Sequence, residues 1–554
     1  MKIRVLLCVL GIFAANRVIG QTSQDTAKGA AGSVPAGVDT TQLPKLEIPE
    51  ITIVGKKAIT LPFARKGEIY DVTPYQAPPP DTSLLGDYQF IALPRGTLSR
   101  YEEHQMPWRA SLEGSFGTFG TGSVRGYADY KTQWWGIFGN GGYRTTDGHT
   151  AGASASTSDL DVTAHSLLST DNDLLRALRM SGGLGLRHDS YGMYGYPGEA
   201  PRRTRNNVSF DAGIGSVNRE GNVLDLGVGA KIWKVTDSRN GIDSEASVVS
   251  PDVRASFASD AGDVRLGADV FYTSSSLDYP GSSQSPSLLG ISAGARWRLS
   301  DQWFIHARGL YQDGSGSDGS STTLVAPAAV LQWEASQDRE WIFWFQPELS
   351  LPTYDDRIRE NPYLVRGPLL KPEKRPVHLG SSLSYRDDNL TLRLSGSFTH
   401  STDRSVTLAD SGRITLGTLD ADQVVVEASG ALNPIPSARV KFSGALQPGH
   451  ETGTTIQLPM VPILELRGRA EVDLAAPITI WSSAEYWSKR NVDRAGSRTL
   501  SDVFFMGAGA STRALPHMVI SIEIANLFNS AYDRWEGYSA PGRQVTLDAK
   551  INLR

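Results

Sequence analysis

From about Trp108 to its end, the chain alternates apolar and polar residues. Val545, Leu547, Ala549, Ile551 and Leu553 fall on one face of the last stretch, and Gln544, Thr546, Asp548, Lys550, Asn552 and Arg554 on the other. Leu464, Leu466, Gly468, Ala470, Val472 and Leu474 repeat the pattern against Glu465, Arg467, Arg469, Glu471 and Asp473. So do the stretches beginning at Leu224, Val264, Leu390 and Val440. A period of two means strands with one apolar and one wet face. Many of these runs reach about ten residues, enough to cross a bilayer at a tilt, whereas strands of soluble sandwiches average about five or six. Five charges on one strand face suit a water-filled lumen. The expected fold is therefore all-β, a transmembrane antiparallel β-barrel over residues 108–554. Counting alternating runs gives about 18 to 22 strands; we expect 22, with about 16 to 20 possible, because an even count brings both barrel ends to one side. Trp134, Trp135, Trp341, Phe343, Trp344, Phe345, Trp481, Tyr486, Trp487, Trp535 and Tyr538 lie near strand ends, as interfacial girdles require. Connections are expected to be short and Gly/Ser-rich, as at Gly314 to Ser321.

The first hundred residues differ. Lys2 and Arg4 precede the apolar run Val5–Ala15, which reads as a signal peptide over residues 1–20, cut before Gln21. Residues 21–48 are rich in Thr, Ser, Gly, Ala, Gln and Pro and are expected to form a disordered periplasmic tail. The only cysteine, Cys8, lies in the signal segment, so the mature chain has no disulfide or thiolate chemistry. The net charge of −5 becomes −8 once Lys2, Arg4 and Arg17 are removed, which leaves no basic field for nucleic acid.

No catalytic site stands out. The nine histidines are scattered, and there is no HExxH, P-loop or dinucleotide fingerprint. Gly290-Ile-Ser-Ala-Gly294 matches GxSxG, but its surroundings read as continuous strand where a nucleophile elbow needs strand, turn and helix. We expect no enzyme, no cofactor and no metal site.

The segment Pro49 to Val54 is strand-prone within a polar tail and suits addition to a partner's sheet edge. Asn361-Pro-Tyr-Leu364 followed by Leu370-Lys-Pro-Glu373, then Leu458-Pro-Met-Val-Pro462 before the strand from Leu464, then Ile524-Ala-Asn526-Leu527-Phe528-Asn529 with Tyr532 and Pro541-Gly542-Arg543, form an ordered set. Together they resemble the barrel domain of TonB-dependent receptors over about 200 residues. The resemblance implies a 22-strand barrel in a Gram-negative-type outer membrane that takes up a small ligand of unknown identity. It implies a TonB box, which Glu50, Ile51, Thr52, Ile53 and Val54 match in general shape, and the TonB complex, outer-membrane lipid and the barrel-assembly machinery as partners. In that family a plug of well over a hundred residues lies between box and barrel; here Gly55 to Met106 span 52. Residues 49–107 are thus expected to hold the box-like segment with a short plug remnant or linker, and the chain ends in Arg554 where such barrels usually end in an aromatic. Two other readings follow from the short plug: a structural barrel housing a partner, and a passive diffusion channel.

Overall fold

The computed structural model describes residues 108–554 apart from 133, 170–176, 218–222, 280–281, 365–369, 411–412, 476 and 554. The expected signal peptide, tail, box-like Glu50–Val54 and plug remnant lie outside the described residues.

Twenty-two antiparallel staves form one closed ring. They are β1 Trp108–Gly117, β2 Thr121–Lys131, β3 Trp135–Thr146, β4 Ala155–Ser169, β5 Ala177–Gly192, β6 Arg202–Val217, β7 Val223–Arg239, β8 Ile242–Ala261, β9 Val264–Ser274, β10 Ser287–Arg298 and β11 Trp303–Ser315. The second half comprises β12 Ser321–Ser336, β13 Arg339–Phe345, β14 Glu373–Arg386, β15 Leu390–Asp410, β16 Arg413–Ile435, β17 Ala438–Leu446, β18 Leu464–Ala475, β19 Ile478–Trp487, β20 Val503–Leu515, β21 Met518–Ala525 and β22 Gln544–Leu553. The closing strand read from the sequence pairs β1 with its alternation in register: Leu112 meets Ile551 and Phe116 meets Leu547, while on the other face Glu113 meets Lys550. Closure leaves no unpaired edge, which a bilayer requires. The Gly290–Gly294 match lies wholly within β10, as continuous strand.

The outward face is apolar and exposed: Leu112, Phe116, Leu184, Phe210, Leu226, Val253, Leu266, Ile291, Val426 and Leu547 belong to it. In a water-soluble protein so large a belt would be a liability; against lipid it is the expected surface. The inward face carries the polar set. On β18 Arg467 pairs with Glu465 at 2.5 Å and with Glu485 of β19 at 3.0 Å, and Arg469 pairs with Glu471 at 2.6 Å.

Register corrects the aromatic girdle. Trp303, Trp333 and Trp341 stack outward at the end of the barrel where β1 begins, with ring centroids 5.4 and 6.5 Å apart; at the same end, on β2 and β3, Tyr130 and Trp135 lie 5.1 Å from each other. Phe343, Phe345 and Tyr486 also take outward register positions. Trp344, Trp481 and Trp487 fall on the inward positions, one residue out of phase with the lipid face; the Trp344 indole donates to His378 at 3.3 Å. Trp535 and Tyr538 belong to a loop. Proximity to a strand end does not reveal which face a residue takes, because that depends on register.

The two ends of the barrel differ. The described connections at the end where β1 begins are short turns, whereas the opposite end carries segments 346–372, 447–463, 488–502 and 526–543. The expectation of uniformly short loops is thus wrong at this end. Segment 346–372 contains a helix, α1 Tyr354–Glu360, and the small strand Glu348–Ser350.

Candidate functional site

At the loop end the barrel mouth is covered by its own loops. One buried apolar cluster joins Trp233 and Val235 of β7, Ala246 and Val248 of β8, Leu277, Tyr354 and Ile358 of α1, Leu364, Leu370, Ala409 of β15, Ile414 of β16, Val492, Leu500 and Tyr538. β7 and β15 stand eight places apart in the ring of twenty-two, so this cluster exists only because loops cross the mouth. Burying apolar side chains here removes them from water, the ordinary reason for loops to settle.

α1 sits at the centre. It starts because Thr353 and Asp356 form a reciprocal capping box, which satisfies N–H groups that a helix start leaves open. Tyr354 and Ile358, four residues apart and hence on one face, are both buried in the cluster. Asn361 ends the helix by donating its N–H to the Arg357 carbonyl at 2.9 Å, and its side chain accepts the Tyr363 N–H at 3.0 Å. The Asn361–Leu364 motif is therefore a tight turn directed into the mouth.

Two wall arginines hold that turn. Arg203 of β6 forms a fork on Asp237 of β7, with Nε to Oδ1 at 2.7 Å and Nη2 to Oδ2 at 2.9 Å; its Nη1 donates to the carbonyls of Pro362 at 3.0 Å and Leu364 at 2.6 Å. The Tyr191 hydroxyl donates to the same Pro362 carbonyl at 2.7 Å. One register step below, Arg205 pairs with Asp189 of β5 at 2.5 Å and sits over the rings of Tyr191 and Trp233 at 5.6 and 5.5 Å. Arg359 of α1 approaches Trp233 at 5.7 Å.

A tyrosine group completes the cover. Tyr363 stacks on Tyr538 with centroids 3.9 Å apart, and Tyr194 meets both edge-on at 5.8 and 5.2 Å. Burial pushes the hydroxyls of Tyr194, Tyr363 and Tyr538 above the ordinary tyrosine range, so they remain protonated at physiological pH. The Tyr194 hydroxyl donates to the Ser539 carbonyl at 2.8 Å. Arg498 ties segment 488–502 to segment 526–543 through Glu536 at 2.7 Å, Arg494 ties it to segment 447–463 through Glu451, and Arg498 also pairs within its own segment with Asp493 at 3.2 Å. Lys371 pairs with Asp318 at 2.9 Å.

The sequence motifs fall in two places. Asn361–Leu364 and Leu370–Glu373 are at the mouth: Leu370 is in the cluster, and Glu373, nearly fully buried, pairs with Arg375 at 3.0 Å. Asn526, Leu527, Phe528, Tyr532, Pro541, Gly542 and Arg543 come together beside β21 and β22 as a loop knot. Asn526 Nδ2 donates to the Ser530 carbonyl at 2.9 Å and the Pro541 carbonyl at 3.3 Å; the Leu527 N–H reaches the Met506 carbonyl at 2.7 Å; Arg543 Nε donates to the Leu527 carbonyl at 3.1 Å. Phe528 is exposed and stacks on Phe504 at 6.2 Å, and Tyr532 lies parallel to Phe505 at 5.9 Å. A Cβ on Gly542 would meet Asn529 Oδ1 at 2.5 Å, so a side chain there must displace the amide that accepts the Arg543 N–H. These residues shape the rim and do not line a cavity with convergent polar groups.

Arg203, Arg205, Asp237, Trp233 and Tyr191 escaped sequence reading. Arg202 to Arg205 alternates on a strand like any other charged run, and only the fold brings segment 346–372 against it. The helix escaped sequence reading too, although Thr353-Tyr-Asp-Asp356 has the spacing of a capping box.

The arrangement suits occlusion and binding more than bond-making. Among the described residues no group of three or more His, Asp or Glu side chains is placed to hold a metal ion. His400 and Asp422 pair at 2.7 Å, but the Thr452 hydroxyl donates to the same carboxylate, so it is directed at Asp422 and not at the imidazole, where a nucleophile would need to be.

No protein-family model matches the chain, and no curated protein matches it. Solved structures do. The copper transporter OprC is 14% identical with a TM-score of 0.62, covering 80% of each chain. The FrpB iron transporter from Neisseria meningitidis (F3-3 variant) is 11% identical at a TM-score of 0.65, covering 81% of this chain and 82% of that one. The ferric yersiniabactin uptake receptor FyuA from Yersinia pestis is 14% identical at a TM-score of 0.61, covering 81% of each. At such identities the likeness is one of fold: this chain carries the 22-strand barrel fold of TonB-dependent receptors.

Proposed function

We propose that this barrel sits in the outer membrane as a receptor of the TonB-dependent type and takes up a ligand from outside. The observation that carries the reading is the closed ring of 22 staves, which matches transporters and uptake receptors over about four fifths of both chains. The loop end faces the exterior and the short turns face the periplasm. Glu50 to Val54 engage the TonB complex from the periplasmic tail, and the barrel-assembly machinery inserts the chain. The ligand class is a scarce metal ion or its chelate, by analogy with the copper, iron and ferric yersiniabactin named for the similar structures. The covered mouth weighs against a steadily open diffusion channel. No residue is assigned a catalytic role.

The test uses the full chain with and without residues 50–54. Growth and radiolabelled iron or copper uptake under metal limitation are measured, alongside capture of a peptide spanning residues 45–60 by the periplasmic domain of TonB. Loss of uptake on deletion, with peptide capture, supports the reading. No capture and no uptake or growth defect would overturn energised transport.

A further inference from the structure

We infer that α1 and the Asn361–Leu364 turn form an outer gate latched by Arg203. Four observations separate it from a permanent core. First, the latch neutralises itself without the gate. Arg203 and Asp237 stand opposite each other on neighbouring staves, and their fork is complete within the wall. What the gate adds is two backbone carbonyls on Nη1 and one on the Tyr191 hydroxyl. Releasing the turn therefore exchanges hydrogen bonds for water and strands no unpaired charge, which is the expensive way to break a buried pair. Arg205 repeats the device: its carboxylate partner is on β5, and only one long contact of 3.4 Å, to the Ile358 carbonyl, reaches α1.

Second, the moving piece keeps its own bonds. The capping box at Thr353 and the Asn361 N–H to the Arg357 carbonyl lie inside the segment, so α1 can shift as a unit with its ends satisfied. Third, the closed interface is imperfect. Among the described residues the indole N–H of Trp233, the amide nitrogen of Asn361 and the hydroxyl of Tyr538 are buried without a hydrogen-bond partner. Buried polar groups are normally paired, so opening to water repays part of the apolar loss.

Fourth, the surroundings are built differently. Segments 488–502 and 526–543 are joined by the Arg498–Glu536 ion pair and by Arg490 donating to the carbonyls of Asp533 and Arg534, and form a frame. The gate meets that frame through the Tyr363–Tyr538 stack and meets β16 through a single bridge between Leu364 and Ile414. Toward the frame and β16 its contacts are thus rings, apolar surface and backbone, the kinds that part and re-form; toward the wall, the Arg359 cation also lies over Trp233 and within Coulombic reach of Asp161. Cargo enters when they part.

The mature sequence has no cysteine, since Cys8 lies in the expected signal segment, so one introduced thiol reports opening cleanly. Ile358→Cys places it on the buried face of the gate, and Leu458→Cys places it in segment 447–463, within a separate buried cluster of Val406, Leu419 and Ala421; both native residues are buried. Outer-membrane vesicles of the full chain are treated with a membrane-impermeant maleimide, and labelling rates are compared with and without Arg203→Met. The expected result is labelling at position 358 about tenfold faster in Arg203→Met, with the rate at 458 unchanged. Tyr191→Phe, which removes one hydroxyl and preserves packing, should shift the 358 rate in the same direction by a smaller factor. Equal acceleration at both positions would mean general loosening and would overturn the gate. An unchanged 358 rate in both Arg203→Met and Tyr191→Phe would overturn it as well. Labelling needs no ligand or TonB, so this outcome stands apart from the uptake reading.

Discussion

The side chain of Asn529 accepts the backbone N–H of Arg543 at 2.8 Å across a loop of fourteen residues. Asn526 works beside it, binding Ser530 in both directions and the Pro541 carbonyl. The two motif halves that the sequence shows as separate strings are one knot, set immediately before the strand that closes the ring. Both asparagines take left-handed backbone, with φ of 50° and 54°. Asparagine tolerates that region better than most residues, and its short amide can satisfy local backbone groups while it does so.

Asn526→Ala should therefore lower stability by about 2–4 kcal/mol, combining lost buried hydrogen bonds with a strained φ. Urea unfolding in lipid vesicles, followed by tryptophan fluorescence, measures this. Asn526→Gly should recover the backbone part and remain weaker than wild type. A midpoint for Asn526→Ala equal to wild type would refute the knot's role.

Sequence periodicity carried the barrel because the lipid and lumen faces impose period two on every stave, while the alternating runs bounded the strand count only to about 18 to 22. The faces of Leu547 and Leu466 were correct for that reason. The motifs Asn361–Leu364 and Leu370–Glu373 were visible as strings, yet their role was not. Arg203 lies more than 150 residues from the carbonyls it holds, and no local pattern joins them. Trp344 and Trp487 were assigned outward because aromatics at strand ends suit membrane interfaces; a register one residue out of phase placed them inward.

Glu373 supplies a second test. It is almost wholly buried and pairs with Arg375, while Arg404 lies nearby with its Nη1 on Gln423 at 2.7 Å. Removing the carboxylate leaves buried cations under-compensated, which typically costs about 3–5 kcal/mol. Glu373→Ala should shift the urea midpoint down by that amount, and Glu373→Gln, which retains one acceptor oxygen, by less. Because Leu370 precedes it in the cluster, the same variants should also speed proteolysis of segment 346–372. A neutral Glu373→Ala would show that the arginines are compensated elsewhere.

The ion pairs between outer loops predict a pH response of definite sign. Asp318 is held well below the usual carboxylate range by the Ser320 hydroxyl and Lys371, Glu451 by Arg494, and Asp493 by the Ser497 hydroxyl with help from Arg498. A lowered native value contributes stability above the ordinary value of about 4 and loses it as pH falls toward the native one. The loops should accordingly hold unchanged from about pH 8 to 5 and loosen progressively below about 4. A fluorophore on Thr455→Cys, an exposed site in segment 447–463, reads this as anisotropy. A fall centred near pH 6 would assign the response to other groups.

Close backbone approach gives the last prediction. A Cβ added at Gly195 would lie 2.4 Å from the Gly537 carbonyl oxygen and 2.7 Å from its carbon, both backbone atoms that cannot turn aside. Gly537 itself has a φ of 79°, so it has little room to adapt by changing residue type. Gly195→Ala must push segments 193–201 and 526–543 apart, breaking the Tyr194 hydroxyl bond to the Ser539 carbonyl and spreading Tyr194 from Tyr538. None of these groups belongs to the stave ladders. The variant should keep its far-UV circular dichroism and its urea midpoint to within roughly 0.5 kcal/mol, while protease cleavage within 526–543 rises about tenfold, as local opening free energy falls by roughly 1.4 kcal/mol. Gly396→Ala is the matched control, because nothing lies within 4 Å of its added Cβ. It should leave cleavage unchanged and stability equal or slightly higher, since alanine restricts the unfolded chain more than glycine does. If Gly195→Ala instead lowered the urea midpoint by several kcal/mol, the cap and the barrel would unfold as one unit, and the loops could not act separately from the wall.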